Sequence, residues 1–278
     1  MLSLYTQTAQ ECSKLITERY STSFTLGIKT LDTKYHIPVF SIYGFVRYAD
    51  EIVDTFYDYD QQSLLSRFKA ETYTAIAEGI SLNPVLHSFQ LVVNKFKIEH
   101  ELIDAFLHSM EMDLYEKDYT QTGYEEYIYG SAEVVGLMCL RVFCEGNESE
   151  YQRLKGDARK LGAAFQKVNF LRDLKSDFQE RGRVYFPGVD FTDFNSSSKQ
   201  LIEADIQADF DAGYRGIKAL PKDAKMGVYL AYKYYLKLFD KIKNLPATQI
   251  QEERIRVPDY QKMILLGQTL IKNRLNLL

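Results

Sequence analysis

Histidine is scarce in this chain of 278 residues, and none of His36, His87, His100 or His108 has a Glu three positions before it. That excludes a di-iron carboxylate bundle, which needs Glu-x-x-His on two helices. Cysteine is scarcer still. Cys12, Cys139 and Cys144 are odd in number and lack metal-ligand spacing, so they read as reduced thiols packed as small core residues in a cytosolic protein. Excess positive charge is absent: a formal net charge of −4 offers no basic field to nucleic acid. The chain does not open on a basic segment followed by a long apolar run, so no secretory signal is expected. No uncharged apolar stretch reaches the length that spans a bilayer, since the longest, 127–140, is broken by Glu133. The expected location is the cytoplasm, with peripheral contact at the inner face of the membrane left open. A Gly-rich dinucleotide fingerprint is also missing.

Period-two alternation is scarce as well, and nearly every segment between breakers reads as helix. Helices are expected over 8–20, 61–80, 84–97, 99–114, 124–143, 199–220 and 222–243, with a last amphipathic one after Pro258. Ser21-Thr22-Ser23-Phe24 reads as a break followed by a short turn to Leu31, and Pro38 falls in the first turn of the next helix. Asn83-Pro84 reads as an N-cap and N1 pair, Asn147 as the cap of a helix running to Arg181, and Gly182 as its C′ residue. Residues 188–198 form the longest candidate loop, placed to help cover whatever the preceding helix builds. No repeat, low-complexity tract or linker divides the chain, so one all-α domain over 1–278 is expected.

What the sequence does have is an acidic stripe. In the segment from Phe165 to Pro187, Asn169, Asp173 and Asp177 fall at successive i, i+4 positions, with Gln166 one turn earlier on nearly the same face. Asp residues one turn apart repel and are poor helix formers, so local stability does not explain them. A divalent cation does: Mg²⁺ takes one or two carboxylates, keeps waters and completes its shell with phosphate oxygens. Around Tyr43 the pattern recurs, with Asp50 and Asp54 at i, i+4 and Arg47 one turn before. If the two helices face each other across a cavity, each carboxylate pair about 6 Å apart costs roughly 3 kcal/mol at an effective dielectric near 20. The arrangement therefore points to several Mg²⁺ ions holding a polyanion.

These motifs resemble those of the squalene/phytoene synthase family, the head-to-head trans-isoprenyl diphosphate synthases, and most closely the bacterial phytoene synthases. Arg47-x-x-Asp50-Glu51-x-x-Asp54 resembles the first aspartate-rich motif of the family. Gln166-x-x-Asn169-x-x-Arg172-Asp173-x-x-x-Asp177, followed by Arg181-Gly-Arg183-Val-Tyr185-Phe-Pro187, resembles the second. Tyr20-Ser21-Thr22-Ser23-Phe24 resembles the segment that lies over a substrate diphosphate. The stretch from Tyr127 to Met138 resembles a helix whose small residues make room for a prenyl chain, although Glu133 and Val134 stand where relatives carry small residues. Tyr235 and Arg254 match a tyrosine and an arginine near the diphosphates.

The resemblance implies an all-α bundle of the isoprenoid synthase type with a central cavity. It implies two steps: condensation of two allylic diphosphates to a cyclopropylcarbinyl diphosphate, then rearrangement to a linear hydrocarbon, with pyrophosphate released at each ionisation. Asp50, Asp54, Asn169, Asp173 and Asp177 would hold Mg²⁺, or Mn²⁺ in its place. Arg47, Arg172, Gln166 and Tyr235 would bind the diphosphates, with Ser21, Ser23, Phe24, Tyr43, Tyr127, Arg183, Tyr185 and Arg254 completing the substrate site. Two C20 geranylgeranyl diphosphates giving phytoene, without NADPH, is the expected reaction, and condensation of C15 farnesyl diphosphate to dehydrosqualene or squalene is the alternative. A relative that has lost catalysis and serves as an assembly partner is the non-enzymatic rival, although such a protein should lose motif aspartates and here all four remain. Plainer readings stay open. Arg47 and Arg172 can pair with neighbouring carboxylates, Ser21 and Ser23 can cap the next turn, Tyr127 can be core, and Arg183 and Tyr185 can serve only to order the following loop.

Overall fold

The computed structural model describes every residue except 117, 189–193, 251–253 and 276–278, and for 180 and 181 the backbone alone. Among the described residues there is no β-strand, and a single isolated parallel bridge joins Asp118 to Val184. In chain order the helices are α1 (Leu2–Tyr20), α2 (Thr22–Lys29), α3 (Thr33–Asp54), α4 (Gln61–Glu78), α5 (Pro84–Phe96), α6 (His100–Tyr115) and α7 (Gln121–Ile128). A π-helical turn, Tyr129–Glu133, leads into α8 (Val134–Cys144). After it come α9 (Glu148–Arg181), α10 (Ser196–Ala219), α11 (Lys222–Lys243), the short α12 (Ala247–Ile250) and α13 (Asp259–Arg274).

Local chemistry sets most boundaries. Asn83 accepts from the backbone N–H of Val85 at 3.0 Å ahead of Pro84, and Asn147 accepts from that of Glu150 at 3.1 Å. Gly182 closes α9 in the left-handed region, φ 64°, where a Cβ would be strained. Other boundaries differ from expectation. Ser21 does not open a turn; it caps a new helix, accepting from Phe24 N–H at 3.2 Å, so α2 occupies most of the segment read as irregular. α3 begins at Thr33, ahead of Pro38, because Asp32 caps it and Lys34 is tied to Glu145 and Asp223 at 2.6 and 2.9 Å. In the expected covering loop, residues 189–193 lie outside the described residues, and Asn195 already caps α10 so that the helix starts at Ser196.

Two apolar clusters stand on either side of one cavity. Behind α3, Phe45 stacks on Phe89 with centroids 3.9 Å apart and meets Phe106 at 5.4 Å. Each such fully buried ring contributes about 1.5–3 kcal/mol. Behind α9, Val168 and Leu171 are buried, and Lys167 donates to Asp205 and Asp209 of α10 at 2.5 and 2.6 Å. Removing one partner of the buried Lys167–Asp209 pair costs about 3–5 kcal/mol, whereas Asp205 is exposed. The other face of each helix is thereby turned to the cavity. Gly162 of α9 approaches the π turn so closely that a Cβ there would lie 2.8 Å from the Ala132 carbonyl oxygen. At Gly227 of α11 a Cβ would lie 2.6 Å from that of Gly27.

By length and composition alone the continuous run Gln121–Cys144 is apolar enough to cross a membrane, with Glu133 inside it as read from sequence. It is a core helix here, with Val134, Leu137 and Met138 fully buried.

Candidate active site

The cavity between the clusters has a volume of about 1200 Å³, larger than the 300–1,000 Å³ usual for drug-sized ligands. α3 contributes Tyr43, Arg47, Asp50 and Asp54, one stripe at i, i+4, i+7 and i+11. From α9 come Gln166, Asn169, Arg172, Asp173 and Asp177, and from the segment after it Arg183 and Tyr185. Ser21, Phe24, Tyr127, Tyr235 and Arg254 line the same space. Of the side chains singled out from sequence, Ser23 alone is not among the lining residues. The rest are brought together.

The cavity is polar at one end and apolar at the other. Beyond Gln166, α9 presents Phe165, Gly162, Leu161, Ala158 and Leu154, with Asp157 the one charged side chain among them, faced by Ile28, Leu31, Cys139, Phe143, Ile217 and Leu220. Glu133 and Val134 do not intrude. The π turn shifts the helix register so that Ser131, Ala132, Val135 and Gly136 face inward. Glu133 instead accepts from Arg159 at 2.5 Å, and Val134 packs in the core.

The arginines are paired with carboxylates. Arg47 contacts Asp50 at 3.8 Å and pairs with Glu51. Asp173 takes Arg172 Nε at 3.0 Å and Arg254 Nε at 2.7 Å. Asp50 is pushed up to about 7 by burial, drawn down by Arg47 and pushed up again by Asp54 and Asp113. Burial pushes the Tyr43 phenol up to about 12, with Asp50 adding to it, and raises Tyr235 against the pull of Arg172. Tyr235 stacks on Phe165 at 4.0 Å, and Phe24 lies 5.5 Å from Tyr43 and 6.1 Å from Tyr235.

Sequence reasoning missed Asp113. It lies at the end of α6 between Met112 and Leu114, with no second Asp at i±4, and carries no motif. Its carboxylate accepts from Tyr127 Oη at 2.8 Å and Tyr185 Oη at 3.3 Å and pairs with Arg183 at 3.2 Å. Burial pushes it up to about 7, Arg183 draws it down and Asp54 pushes it up. Burial draws Arg183 down, but Asp113, Tyr185 and Asp54 together outweigh it and hold the guanidinium above its usual range.

The donor set fits a hard divalent cation shared with a ligand. Asn169 Oδ1 is a buried acceptor with no hydrogen-bond partner, on the same face as Asp173 and Asp177. Among the described residues no three His, Cys, Asp or Glu side chains converge to hold an ion by themselves.

The sequence signature of the squalene/phytoene synthase family matches residues 17–261. A 15-cis-phytoene synthase from Synechocystis sp. is 28% identical over 295 residues, covering 93% of this chain and 83% of that protein. A 4,4'-diapophytoene synthase from Staphylococcus haemolyticus is 25% identical, over 72% of this chain and 69% of that protein. A dehydrosqualene synthase crystal structure superposes with a TM-score of 0.80 at 21% identity, covering 97% of this chain and 98% of the other. A squalene synthase from Alicyclobacillus acidocaldarius superposes with a TM-score of 0.75 at 20% identity, over 86% and 95%. The chain belongs to the squalene/phytoene synthase family and is a prenyltransferase of the type that condenses two prenyl units head to head.

Proposed function

We propose that the protein joins two C20 geranylgeranyl diphosphates to phytoene without NADPH. The observation that carries this reading is the length of the apolar part of the cavity. Along α9, lining residues run from Gln166 to Leu154, twelve residues or about 18 Å at 1.5 Å per residue. An extended chain gains roughly 1.2 Å per bond, so a C20 prenyl main chain spans about 18 Å and a C15 chain about 13 Å. A phytoene synthase is also among the relatives that match most of the chain. Condensation of two C15 farnesyl diphosphates is the second reading, supported by the diapophytoene synthase relative.

In this reading Asp50, Asp54, Asn169, Asp173 and Asp177 hold Mg²⁺, or Mn²⁺ in its place, which when bound supplies Lewis acidity to the departing diphosphate. Arg47, Arg172 and Arg254 turn their N–H donors from the carboxylates to diphosphate oxygens, and Ser21, Gln166 and Tyr235 add hydrogen bonds. Ionisation breaks the C1–O bond of one substrate, and pyrophosphate leaves. The C2=C3 bond of the other attacks the cation, and loss of a proton closes the cyclopropane. Phe24, Tyr43, Phe165 and Tyr235 present ring faces to the cation and exclude water. A second ionisation, rearrangement and proton loss give the linear product. Peripheral contact with the membrane that stores these lipids goes with the outward face of α13.

The test is incubation of the purified protein with Mg²⁺ and each diphosphate, with and without NADPH, followed by pyrophosphate assay and identification of the hydrocarbon. A C40 product formed equally well without NADPH is expected. Exclusive C30 product would replace the C20 reading, and no pyrophosphate from either substrate would sink both.

A further inference from the structure

Asp113 has almost no bonding capacity left for a ligand. Oδ2 accepts from Tyr127, and Oδ1 takes both Tyr185 and Arg183. Arg183 is held a second time by the same residue, since its Nη2 donates to the Asp113 backbone carbonyl at 2.6 Å. Its Nη1 is shared, 3.2 Å from Asp113 Oδ1 and 3.3 Å from Asp54 Oδ1 in the first acidic motif. The segment carrying Arg183 is fixed on every other side. Arg183 N–H donates to the Asp177 carbonyl at 2.9 Å, Val184 forms the bridge to Asp118, and Tyr185 stacks on Phe170 at 4.1 Å. A carboxylate with three contacts on its two oxygens and 5% side-chain exposure does not act on substrate directly. It acts through the groups it holds.

We infer that Asp113 is a positioning residue for the condensation, clamping Arg183 and Tyr185 so that the guanidinium is fixed between the two acidic motifs at the mouth of the cavity. This rests on the reading that a substrate diphosphate binds at that mouth. The clamp holds Arg183 at a point where Nη1 is divided between Asp113 and Asp54, so the guanidinium bridges to the first motif without moving onto it fully. Its remaining donors stay aimed at the diphosphate. Asp113→Asn exchanges an acceptor for a donor facing Tyr127 and Arg183, which releases the clamp at constant size. Because Arg183 makes ground-state contacts to the diphosphate, the loss falls chiefly on KM.

The test measures kcat and KM for the C20 diphosphate in the wild type, Asp113→Asn, Asp113→Glu, Arg183→Gln and the double variant Asp113→Asn/Arg183→Gln, with helicity and Tm alongside. Either neutral single variant should raise KM roughly tenfold with a smaller fall in kcat, and Asp113→Glu should recover part of it. The double variant should be no worse than Arg183→Gln alone, because both changes break one device. KM does not depend on the folded fraction, so it reports even where a variant is unstable. An unchanged KM with a lowered Tm would mean a structural role only and overturn the inference, as would losses that multiply in the double variant. Should Asp113→Asn not fold, an unchanged KM in Arg183→Gln overturns it equally, and a raised KM supports it. A wild type that releases no pyrophosphate defeats the proposed function, whereas turnover with unmoved KM in the variants defeats this inference alone.

Discussion

Arg183 Nη1 stands 3.3 Å from Asp54 Oδ1, joining the tail of the second acidic motif to the first across 129 positions of sequence. The contact shows that the two ridges share one space. Two Asp-bearing helices held face to face are electrostatically unfavourable unless cations intervene, and here the guanidiniums of Arg47, Arg172, Arg183 and Arg254 intervene. A diphosphate arriving with its metal ions would exchange partners with these arginines, which separates binding from stability.

Asp173 tests that separation most directly. It holds both Arg172 and Arg254, yet its side chain is 16% exposed to the cavity, so changing it leaves the core untouched. Asp173→Asn should lower pyrophosphate release by about 10²–10³-fold, the scale on which a preorganised electrostatic group acts, with Tm nearly unchanged. Chelation of the wild type should likewise stop turnover, and Mg²⁺ or Mn²⁺ should restore it. Activity of Asp173→Asn retained at saturating Mg²⁺ would count against a metal-holding role.

The acidic stripe of α9 was legible because one helix period carries it, and Asn147 and Gly182 were legible because capping is local. Asp113 was not. Tyr127 and Tyr185, its partners, lie 14 and 72 positions away, and nothing in α6 itself distinguishes a ligated Asp from a solvated one. Ser21 misled for a related reason. The residue types that break a helix also start one, and only packing of α2 on α11 decides which. Glu133 misled because a π turn changes which residues face inward, and straight 3.6-residue periodicity has no means of showing that.

Chain length is set, in this reading, by the apolar end. Ala158 lines the cavity two turns from Gln166 towards Leu154, so Ala158→Leu projects extra volume about 12 Å beyond the polar mouth. Turnover of the C20 diphosphate should fall roughly tenfold more than that of the C15 diphosphate, a difference of about 1.4 kcal/mol. Equal losses with both substrates would show that neither chain reaches that depth.

Acid should loosen the seam between α1 and α5. His87 is buried there, with Nε2 3.0 Å from Thr6 Oγ1, its ring 4.9 Å from Tyr5 and no partner at Nδ1. Burial holds its imidazole below the ordinary value. A histidine depressed in the folded state contributes stability that is present above its unfolded pKa of about 6.5 and lost as pH falls through the folded value. Tm should therefore drop on going from pH 7 to 5, and His87→Phe, which cannot charge, should show a shallower slope. The carboxylates of the cavity titrate in both proteins, so the difference in slope isolates His87. Parallel slopes would remove it from the account.

The outward face of α13 bears on where the enzyme works. Tyr260, Met263, Ile264, Leu270 and Ile271 fall on one stripe and are 63%, 55%, 53%, 46% and 62% exposed, while Thr269 on the opposite side is buried. Lys262, Lys272 and Arg274 against Asp259 give this helix a charge of three minus one, +2, on a chain of net −4. An apolar stripe with basic residues suits a helix lying in the surface of an anionic bilayer. α13 also backs α11, which forms a cavity wall through Gly227 and Tyr235, so that contact would place the hydrocarbon's route close to lipid. The protein should sediment with phosphatidylglycerol vesicles, less with phosphatidylcholine, and less again as salt is raised. Ile264→Glu/Ile271→Glu should abolish sedimentation while leaving turnover of detergent-dispersed substrate intact. Equal binding by that variant would show that some other surface meets the membrane, and no binding by the wild type would show that none does.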